Sequence, residues 1–380
     1  MKFLLIYVPN LRFSYKGDWS KRKLNEICLF FKGNGLSKSD LSNEGFPCIL
    51  YGELYTTYKN EVISDIISKT NTTLSNPFLS RNNDLIIPGS GEDPIDIAVA
   101  RAIYQNDIIL GGDLNILRPK SNVSAAFLSY QLNGVRRYDI AKKAQGKSIV
   151  HLHNSDLKEV LVSIPSYDEQ LHIVKLLTKI DERIQTQSKI IDTLSSQKKQ
   201  IRNLIFKDIH KNANCCIQDY VIYEQPQKYI VHSTDYLSYG KDYTPVLTAN
   251  QSFILGYTLE KDGIYEKGDC IIFDDFTNEN KYVDFPFKVK SSALKILQTK
   301  EGLMLKFFYE YLQFLNFEST DHKRHYLSEV AVTDINVPNL KEQTFVCKIF
   351  TSFDNKLKNE EALLEKYRLQ KQFFLNNLFI

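Results

Sequence analysis

The sequence predicts an α+β fold: two globular mixed α/β domains, separated by two long antiparallel coiled-coil helices in a pseudo-twofold internal repeat. Three observations predict it. One segment recurs later in the chain, both copies carry a heptad-spaced apolar seam, and short apolar runs cut by turn residues precede each copy. The 380 residues are 43% hydrophobic and 24% charged, an ordinary globular composition that allows two such cores.

The repeat begins with Ile164-Pro165-Ser166-Tyr167-Asp168-Glu169-Gln170, which returns as Val337-Pro338-Asn339-Leu340-Lys341-Glu342-Gln343. The correspondence holds without a gap over residues 164–206 and 337–379. It also pairs charged residues, Asp181 with Asp354 and Lys198 with Lys371. A proline, a polar residue and an acidic residue followed by Gln are typical of a helix start, so each copy predicts one long helix.

Each copy has apolar residues three and four apart over about four heptads, a pattern typical of a coiled coil. The apolar seam positions are Leu177, Ile180, Ile184, Ile191, Leu194 and Ile201 in the first copy, and Phe350, Phe353, Leu357, Leu364, Tyr367 and Phe374 in the second. The fourth and seventh seam positions are polar in both copies, which favours one register at a cost in stability. Packing of the two seams on each other is the simplest interpretation; two unrelated amphipathic helices in separate cores are the alternative.

A helix of 40 residues is about 60 Å long, which suits a spacer that holds two modules apart. The predicted segments are an N-terminal segment plus first domain at 1–163, a central helix at 164–208, a second domain at 209–336 and a distal helix at 337–380. Strands are predicted at Asp84–Ile87, Ile108–Leu110 and Gly268–Phe273, and helices at Asn122–Asn133 and Leu303–Phe317.

Composition excludes several classes of protein. The net charge is only +3, which neither requires nor excludes DNA binding. No apolar run reaches the roughly 18 residues of a membrane span, and the apolar start is too short for a signal peptide. Six scattered cysteines without a C-x-x-C pair favour reduced thiols, and we expect a cytoplasmic protein.

Signals for catalysis are weak. Phe31-Lys32-Gly33-Asn34-Gly35 matches the F-x-G-x-G loop of methyltransferases, and Asn76-Pro77-Phe78 is a partial match to their adenine-gripping site, but the second proline is missing. Asp274-Asp275 with Lys288 or Lys290 is a loose match to a metal-dependent nuclease. No phosphate-binding loop is present, and the pairs His151/His153 and His322/His325 lack further ligands. We therefore predict no catalytic residue and no metal site.

Signals for DNA binding are better, because a basic segment stands before each helix copy. Arg and Lys contact phosphates or guanine, Asn and Gln suit adenine, Glu suits cytosine, and Tyr and Thr suit phosphates or thymine methyl groups. The candidates in the first half are Tyr51, Glu53, Tyr55, Thr56, Thr57, Tyr58, Arg136, Arg137, Lys142, Lys143, Gln145, Lys147 and Ser148. Those in the second half are Asn250, Gln251, Ser252, Phe253, Lys288, Lys290, His322, Lys323, Arg324 and His325.

Two modules, each followed by a proline-led helix with an acidic-Gln pair, resemble the specificity subunit of type I restriction–modification systems. The resemblance covers essentially the whole chain, and the helix copies are its most specific part. Further matching runs are Val8 to Phe13 with Gly17-Asp18-Trp19, Gly33 to Leu41 with Pro47 to Tyr55, and Thr248 to Tyr257 with Ile272 to Thr277. The second copy departs from the first in having Lys341 where the first has Asp168.

The resemblance implies that each module reads one half of an asymmetric, bipartite sequence in double-stranded DNA. It implies two methyltransferase subunits and restriction subunits as partners, with S-adenosylmethionine, ATP and Mg on those partners and no cofactor in this chain. The chain itself is then non-catalytic. Two alternatives are the specificity subunit of a related system with methylation and cleavage in one partner chain, and a coiled-coil scaffold that binds protein.

Overall fold

The structure is a computed structural model that describes residues 9–15, 17–240, 242–249, 252–317 and 324–380. The chain divides into two compact units, unit 1 (Met1–Ser188 with Ala362–Ile380) and unit 2 (Lys189–Glu361). Both long helices, α7 (Tyr167–His210) and α10 (Leu340–Asn377), contribute residues to each unit. The segments predicted from the sequence are divided at the ends of the long helices, whereas the two units are divided within them. The predicted segment boundaries stay a prediction.

The globular part of unit 1, module 1, runs from β1 to β14. Its strands are β1 (Ser20–Lys23), β2 (Cys28–Lys32), β3 (Leu41–Ser42), β4 (Phe46–Ile49), β5 (Val62–Ile63), β6 (Ser68–Thr70), β7 (Asp84–Pro88), β8 (Ser90–Gly91), β9 (Arg101–Ile103), β10 (Ile109–Leu110), β11 (Leu114–Pro119), β12 (Gln145–Gly146), β13 (Val150–His151) and β14 (Leu161–Ile164). Its helices are α1 (Leu24–Ile27), α2 (Glu53–Thr56), α3 (Pro94–Ile97), α4 (Ala125–Asn133), α5 (Arg137–Ala141) and α6 (Asn154–Lys158), with a 3-10 turn at Lys38–Asp40.

The main sheet of module 1 has the order β2-β11-β7-β9-β5, in which β11 is antiparallel to both β2 and β7. β7 is buried along its whole length, as its apolar run predicts. Every residue from Ala125 to Leu132 of α4 is buried as well. One hydrophobic core of unit 1 therefore lies between this sheet, α4 and the long helices, where Leu177 and Leu378 join it, and a second core that includes Ile86 and Ile116 covers the other face of the sheet.

Module 2 runs from β15 to β23 in unit 2. Its strands are β15 (Cys215–Cys216), β16 (Val221–Glu224), β17 (Thr244–Leu247), β18 (Ile254–Thr258), β19 (Cys270–Asp274), β20 (Asn280–Val283), β21 (Lys288–Val289), β22 (Leu294–Thr299) and β23 (Asp334–Ile335). Its helices are α8 (Ile217–Tyr220) and α9 (Leu305–Leu315), with a 3-10 turn at Pro226–Tyr229 and a π-helical turn at Tyr326–Val330. The sheets have the orders β16-β22-β19-β20 and β18-β17-β21.

A buried glutamine attaches each module to a long helix in the same way. Gln170 of α7 accepts a hydrogen bond from the Ser124 N–H at 3.0 Å and donates to the Asn122 carbonyl at 3.1 Å. Gln343 of α10 accepts from the Met304 N–H at 2.8 Å and donates to the Gly302 carbonyl, also at 2.8 Å. Ser124 and Met304 are the N-caps of α4 and α9, whose first N–H groups lack intrahelical partners. The glutamine of each acidic-Gln pair thus serves as a docking contact.

The long helices run antiparallel within each unit. In unit 1, Lys371 contacts Asp181 and the Tyr367 ring lies 6.0 Å from the Arg183 guanidinium. In unit 2, Lys198 contacts Asp354, and further along the Arg202 guanidinium lies 5.9 Å from the Phe350 ring. Residue numbers rise on one helix as they fall on the other. The predicted fold class is confirmed.

Packing explains the seam only in part. Buried seam residues are Leu177, Ile180, Leu194, Phe350 and Leu364, and the half-buried ones are Ile184, Ile191, Ile201, Phe353, Leu357, Tyr367 and Phe374. Leu177 lies in the core of unit 1, and Phe350 lies in the core of unit 2 beside Phe206, with ring centroids 6.2 Å apart. The seam therefore packs on the modules as well as between helices.

Candidate nucleic-acid interface

The β12–β13 hairpin carries the most exposed group of predicted DNA contacts in module 1. β12 pairs with β13, and β13 pairs with β8, which anchors the hairpin to the module. Its turn consists of Lys147, Ser148 and Ile149, all exposed. Gly146 has a φ of 136°, and a Cβ there would lie 2.0 Å from the Ile149 carbonyl oxygen. Glycine is therefore required for this turn.

The basic residues before the hairpin fall into two groups. Arg136 donates to the Ile380 carbonyl at 2.9 Å, and Arg137 donates to the Ile95 carbonyl at 3.0 Å. These two guanidinium groups hold parts of unit 1 together. Of the other predicted contacts, Lys142, Gln145, Lys147 and Ser148 are exposed, and Lys143 is half-buried. The exposed group is available to a phosphate or a base edge.

The predicted segment from Tyr51 to Tyr58 borders a cavity of about 700 Å³, whose lining includes Tyr51, Glu53, Thr56 and Thr57. The Glu53 carboxylate accepts hydrogen bonds from the Leu50 N–H and the Ser68 hydroxyl. Tyr58 is buried, and Tyr55 is half-buried. Thr56 and Thr57 are the exposed members of this segment.

In module 2, part of the predicted interface falls outside the described residues, namely Asn250, Gln251, His322 and Lys323. Ser252 is exposed, and the half-buried Phe253 ring lies 6.2 Å from the Phe285 ring. The exposed guanidinium of Arg324 lies 5.7 Å from the centre of the Phe276 ring, a cation–π contact. Arg324 and Phe276 thus form a cationic and aromatic pair in which Arg324 is exposed and Phe276 is half-buried.

His325 is buried, and its ring nitrogen lies 3.0 Å from a Glu329 carboxylate oxygen. Its backbone N–H donates to the Asp275 carbonyl at 2.9 Å. In this placement His325 supports the turn that presents Arg324.

Lys288 and Lys290 have different surroundings. The Lys288 side chain is 1% exposed, and its ammonium lies 2.7 Å from both the Glu260 carboxylate and the Asp262 carbonyl oxygen. Partial burial acts against ionisation of Glu260, but Lys288 and the N–H groups of His232 and Ser233 lower its pKa overall. Lys288 thus neutralises a partly buried carboxylate, whereas Lys290 lies exposed after β21.

The weak catalytic signals have structural explanations. The Asn34 side chain donates a hydrogen bond to the Asn76 carbonyl and accepts one from the Phe78 N–H. The two methyltransferase-like motifs therefore join two loops to each other. Asp274 accepts hydrogen bonds from two turn N–H groups. Asp275 pairs with buried Lys295 at 3.1 Å, a partner that the sequence analysis missed. These residues serve the fold.

Among the described residues, His232, Glu260 and Asp262 are three metal-ligating groups that lie close together. His232 Nε2 lies 3.2 Å from an Asp262 carboxylate oxygen, and both side chains are exposed. Glu260, however, already pairs with the ammonium of Lys288. A cation at this position would face that positive charge, so the group does not make a persuasive metal centre.

Comparison with known proteins shows which class of protein this chain resembles. Residues 16–196 match the family described as the type I restriction modification DNA specificity domain. One relative, the type I restriction enzyme EcoR124I/EcoR124II specificity subunit of Escherichia coli, is 39% identical over 170 residues, 41% of each chain. A putative type I restriction enzyme MjaX specificity subunit of Methanocaldococcus jannaschii is 24% identical over 205 residues, 50% of this chain and 45% of that one. These matches span less than half of the relatives' length.

Solved structures extend the likeness of fold. The type I restriction–modification S subunit from M. genitalium matches with a TM-score of 0.66 and 18% identity, over 98% of this chain and 99% of that chain. A chain from a study of complex assembly and conformational transition of the type I R-M system matches with a TM-score of 0.54 and 13% identity, over 95% of this chain and 97% of that chain. Residues 16–196 are thus similar in sequence to the type I restriction modification DNA specificity domain. The resemblance predicted from the sequence is confirmed for residues 16–196, and the likeness to the M. genitalium S subunit shows a similar fold over 98% of this chain.

No described helix combines the length and the apolar character that a membrane span requires.

Proposed function

We propose that this chain is the DNA sequence-recognition subunit of a type I restriction–modification complex, in which each module reads one half of an asymmetric bipartite site. The observation that carries the proposal is the repeated docking contact. Gln170 and Gln343 attach two modules with different strand orders to two copies of one helix. Two modules that differ in structure, carried on similar helices, suit a DNA site whose two halves differ in sequence.

Local charge supports DNA as the ligand. Module 1 exposes Lys142 and Lys147 beside a two-stranded hairpin, and module 2 exposes Arg324 stacked on Phe276. Phosphate contacts need such cations at the interface rather than a large net charge. The net charge of +3 is compatible with this arrangement.

Two methyltransferase subunits and restriction subunits are the proposed protein partners, and they would bring S-adenosylmethionine, ATP and Mg. Exposed apolar side chains on the long helices supply docking points, among them Phe345, Leu369 and Phe373 of α10. In unit 2, a groove of about 600 Å³ is lined by side chains that include Leu194, Phe345 and Phe353. In this proposal the chain positions the catalytic subunits and performs no chemistry itself.

The test is co-expression with cognate methyltransferase subunits, followed by mapping of methylated adenines. A bipartite, asymmetric motif is expected. Exchanging residues 14–163 for another recognition module should change one half of that motif and leave the other half as it was. A change in both halves, or in neither, would contradict the assignment of one half-site to each module.

A further inference from the structure

We propose that the turn of the β12–β13 hairpin is the base-reading element of module 1, and that Ile149 contacts the methyl group of a thymine in the major groove. This inference rests on the proposed function and names the residue that would carry part of its specificity. Ile149 was not among the residues predicted from the sequence to bind DNA.

The hairpin is anchored to the module and its turn conformation is set, which suits it to such a role. The major groove of B-DNA is about 12 Å wide and admits a two-stranded β-ribbon. Val150 pairs with Gly91 and His151 with Ser90, so the base of the hairpin is fixed to β8. At the tip, the φ of 136° at Gly146 sets the turn. A fixed turn loses little conformational entropy when it binds.

The three turn side chains offer three kinds of contact. Lys147 suits guanine O6 and N7, Ser148 can donate to or accept from a base edge, and an apolar side chain suits the thymine methyl group. Ile149 is 57% exposed at this point. Single exposed apolar residues are common, so exposure alone carries no weight. Its position between Lys147-Ser148 and β13, on an exposed basic segment, makes it a reader of bases.

Acidic residues follow the strand that anchors the hairpin, and the carboxylate of one of them is held by the N-terminus of a helix. Glu92 and Asp93 follow β8 directly. The Asp93 carboxylate caps α3 by accepting hydrogen bonds from the Ile95 and Asp96 N–H groups at 2.6 and 3.3 Å. Lys142 and Lys147 stay exposed beside the turn.

The experiment uses the full chain in complex with its methyltransferase subunits. The bipartite motif of the wild-type complex is mapped first, and each thymine in the half-site read by module 1 is then replaced by deoxyuridine, which lacks only the methyl group. We expect one replacement to weaken binding about fourfold, the effect of returning one methyl group to water. Ile149→Ser should weaken binding to the thymine site by a similar factor and abolish the difference between thymine and uracil.

Leu161→Ser is the matched control, because Leu161 is 49% exposed on β14. It should retain the wild-type sensitivity to uracil. If no replacement weakens wild-type binding, or if Ile149→Ser still distinguishes thymine from uracil, the inference is wrong. A wild-type complex with no bipartite motif would instead overturn the proposed function, so the two failures are distinguishable.

Discussion

Lys371 and Asp181 form a 2.7 Å ion pair between the long helices, and the second copy of the repeat forms the same pair at 2.6 Å as Lys198 and Asp354. Each pair also reaches a module. Lys371 lies 2.6 Å from Glu61, and Lys198 lies 3.2 Å from Glu310. The lysine at the seventh seam position of each copy therefore links one helix both to the other helix and to a module.

Removing one side of this link should be costly. Lys371→Met leaves Glu61 and Asp181 without their shared cation, and Tyr130 still donates to Asp181 at 2.6 Å. Breaking a buried pair from one side typically destabilises a protein by about 3–5 kcal/mol. Chemical denaturation of the full chain should show this loss, whereas exposed Lys199→Met should unfold like the wild type. Equal stabilities would show that the pair contributes little.

The two ion-pair sites should respond to acid in opposite directions. Burial raises the pKa of Asp181, and the negative charge of Glu61 raises it further, against the lowering effect of Lys371. Burial opposes ionisation of Asp354 as well, but Lys198 and Lys306 both bind it and lower its pKa overall. Ionised Asp354 therefore stabilises unit 2 at pH values above 3.8, the ordinary pKa of the carboxyl group. This stabilisation is lost as the pH falls through the lower pKa of Asp354 in the folded state. The unfavourable contribution of ionised Asp181 instead disappears as the pH falls.

Asp354→Asn should consequently destabilise the chain at pH 7, and the difference from wild type should shrink as the pH falls below 3.8. Asp181→Asn should cost less at pH 7, since the amide avoids the cost of burying a charge. Denaturation curves between pH 7 and pH 3 would measure both, with Asp208→Asn as an exposed control. A difference for Asp354→Asn that does not change with pH would contradict the assignment.

The docking glutamines should matter for stability rather than for DNA contact. Gln343→Ala removes the partners of the Met304 N–H and the Gly302 carbonyl, and unpaired buried groups cost about 1–3 kcal/mol each. Hydrogen exchange should accelerate at the start of α9, while exposed Gln200→Ala should leave it unchanged. Normal protection in Gln343→Ala would argue against the docking role.

Gly146→Ala should damage the hairpin without unfolding module 1, because the new Cβ would overlap the Ile149 carbonyl at 2.0 Å. We expect DNA affinity to fall at least tenfold, a loss of about 1.4 kcal/mol of binding free energy. The melting temperature of the complex should not change. Gly112→Ala is the control, since its Cβ would meet only the Leu36 carbonyl at 3.6 Å. Full affinity in Gly146→Ala would remove the hairpin from the interface.

Lys288 and Lys290 offer a comparison within one segment. Lys288→Met should destabilise unit 2, since Glu260 loses its cation, while the salt dependence of DNA binding stays as in the wild type. Lys290→Met should leave stability unchanged and, if Lys290 contacts a phosphate, reduce the slope of log affinity against log salt by about one. If Lys288→Met instead reduced the salt dependence of DNA binding and left stability unchanged, Lys288 would be a DNA contact.

Much of the architecture was predictable because it depends on local periodicity. The heptad pattern and the proline-led starts predict α7 and α10 to within a few residues. The partners of Gln170 and Lys371 were not predictable, since they lie far away in the chain. Residues two apart in a strand share a face, so Lys288 and Lys290 would both be buried or both be exposed if one strand held them. The rule fails here because β21 ends at Val289, between the two lysines. Ile149 could have been found as the apolar residue within a basic, glycine-containing turn.

The docking glutamines bind main-chain atoms of the modules, the N–H of residue 124 or 304 and the carbonyl of residue 122 or 302. Every amino acid offers that carbonyl, and every one except proline offers that N–H. Mutations that alter a module's side chains at this joint therefore need no matching change in the helix. Under the proposed function, the modules can therefore diverge in the DNA sequence that they read while the contact with the helix stays the same.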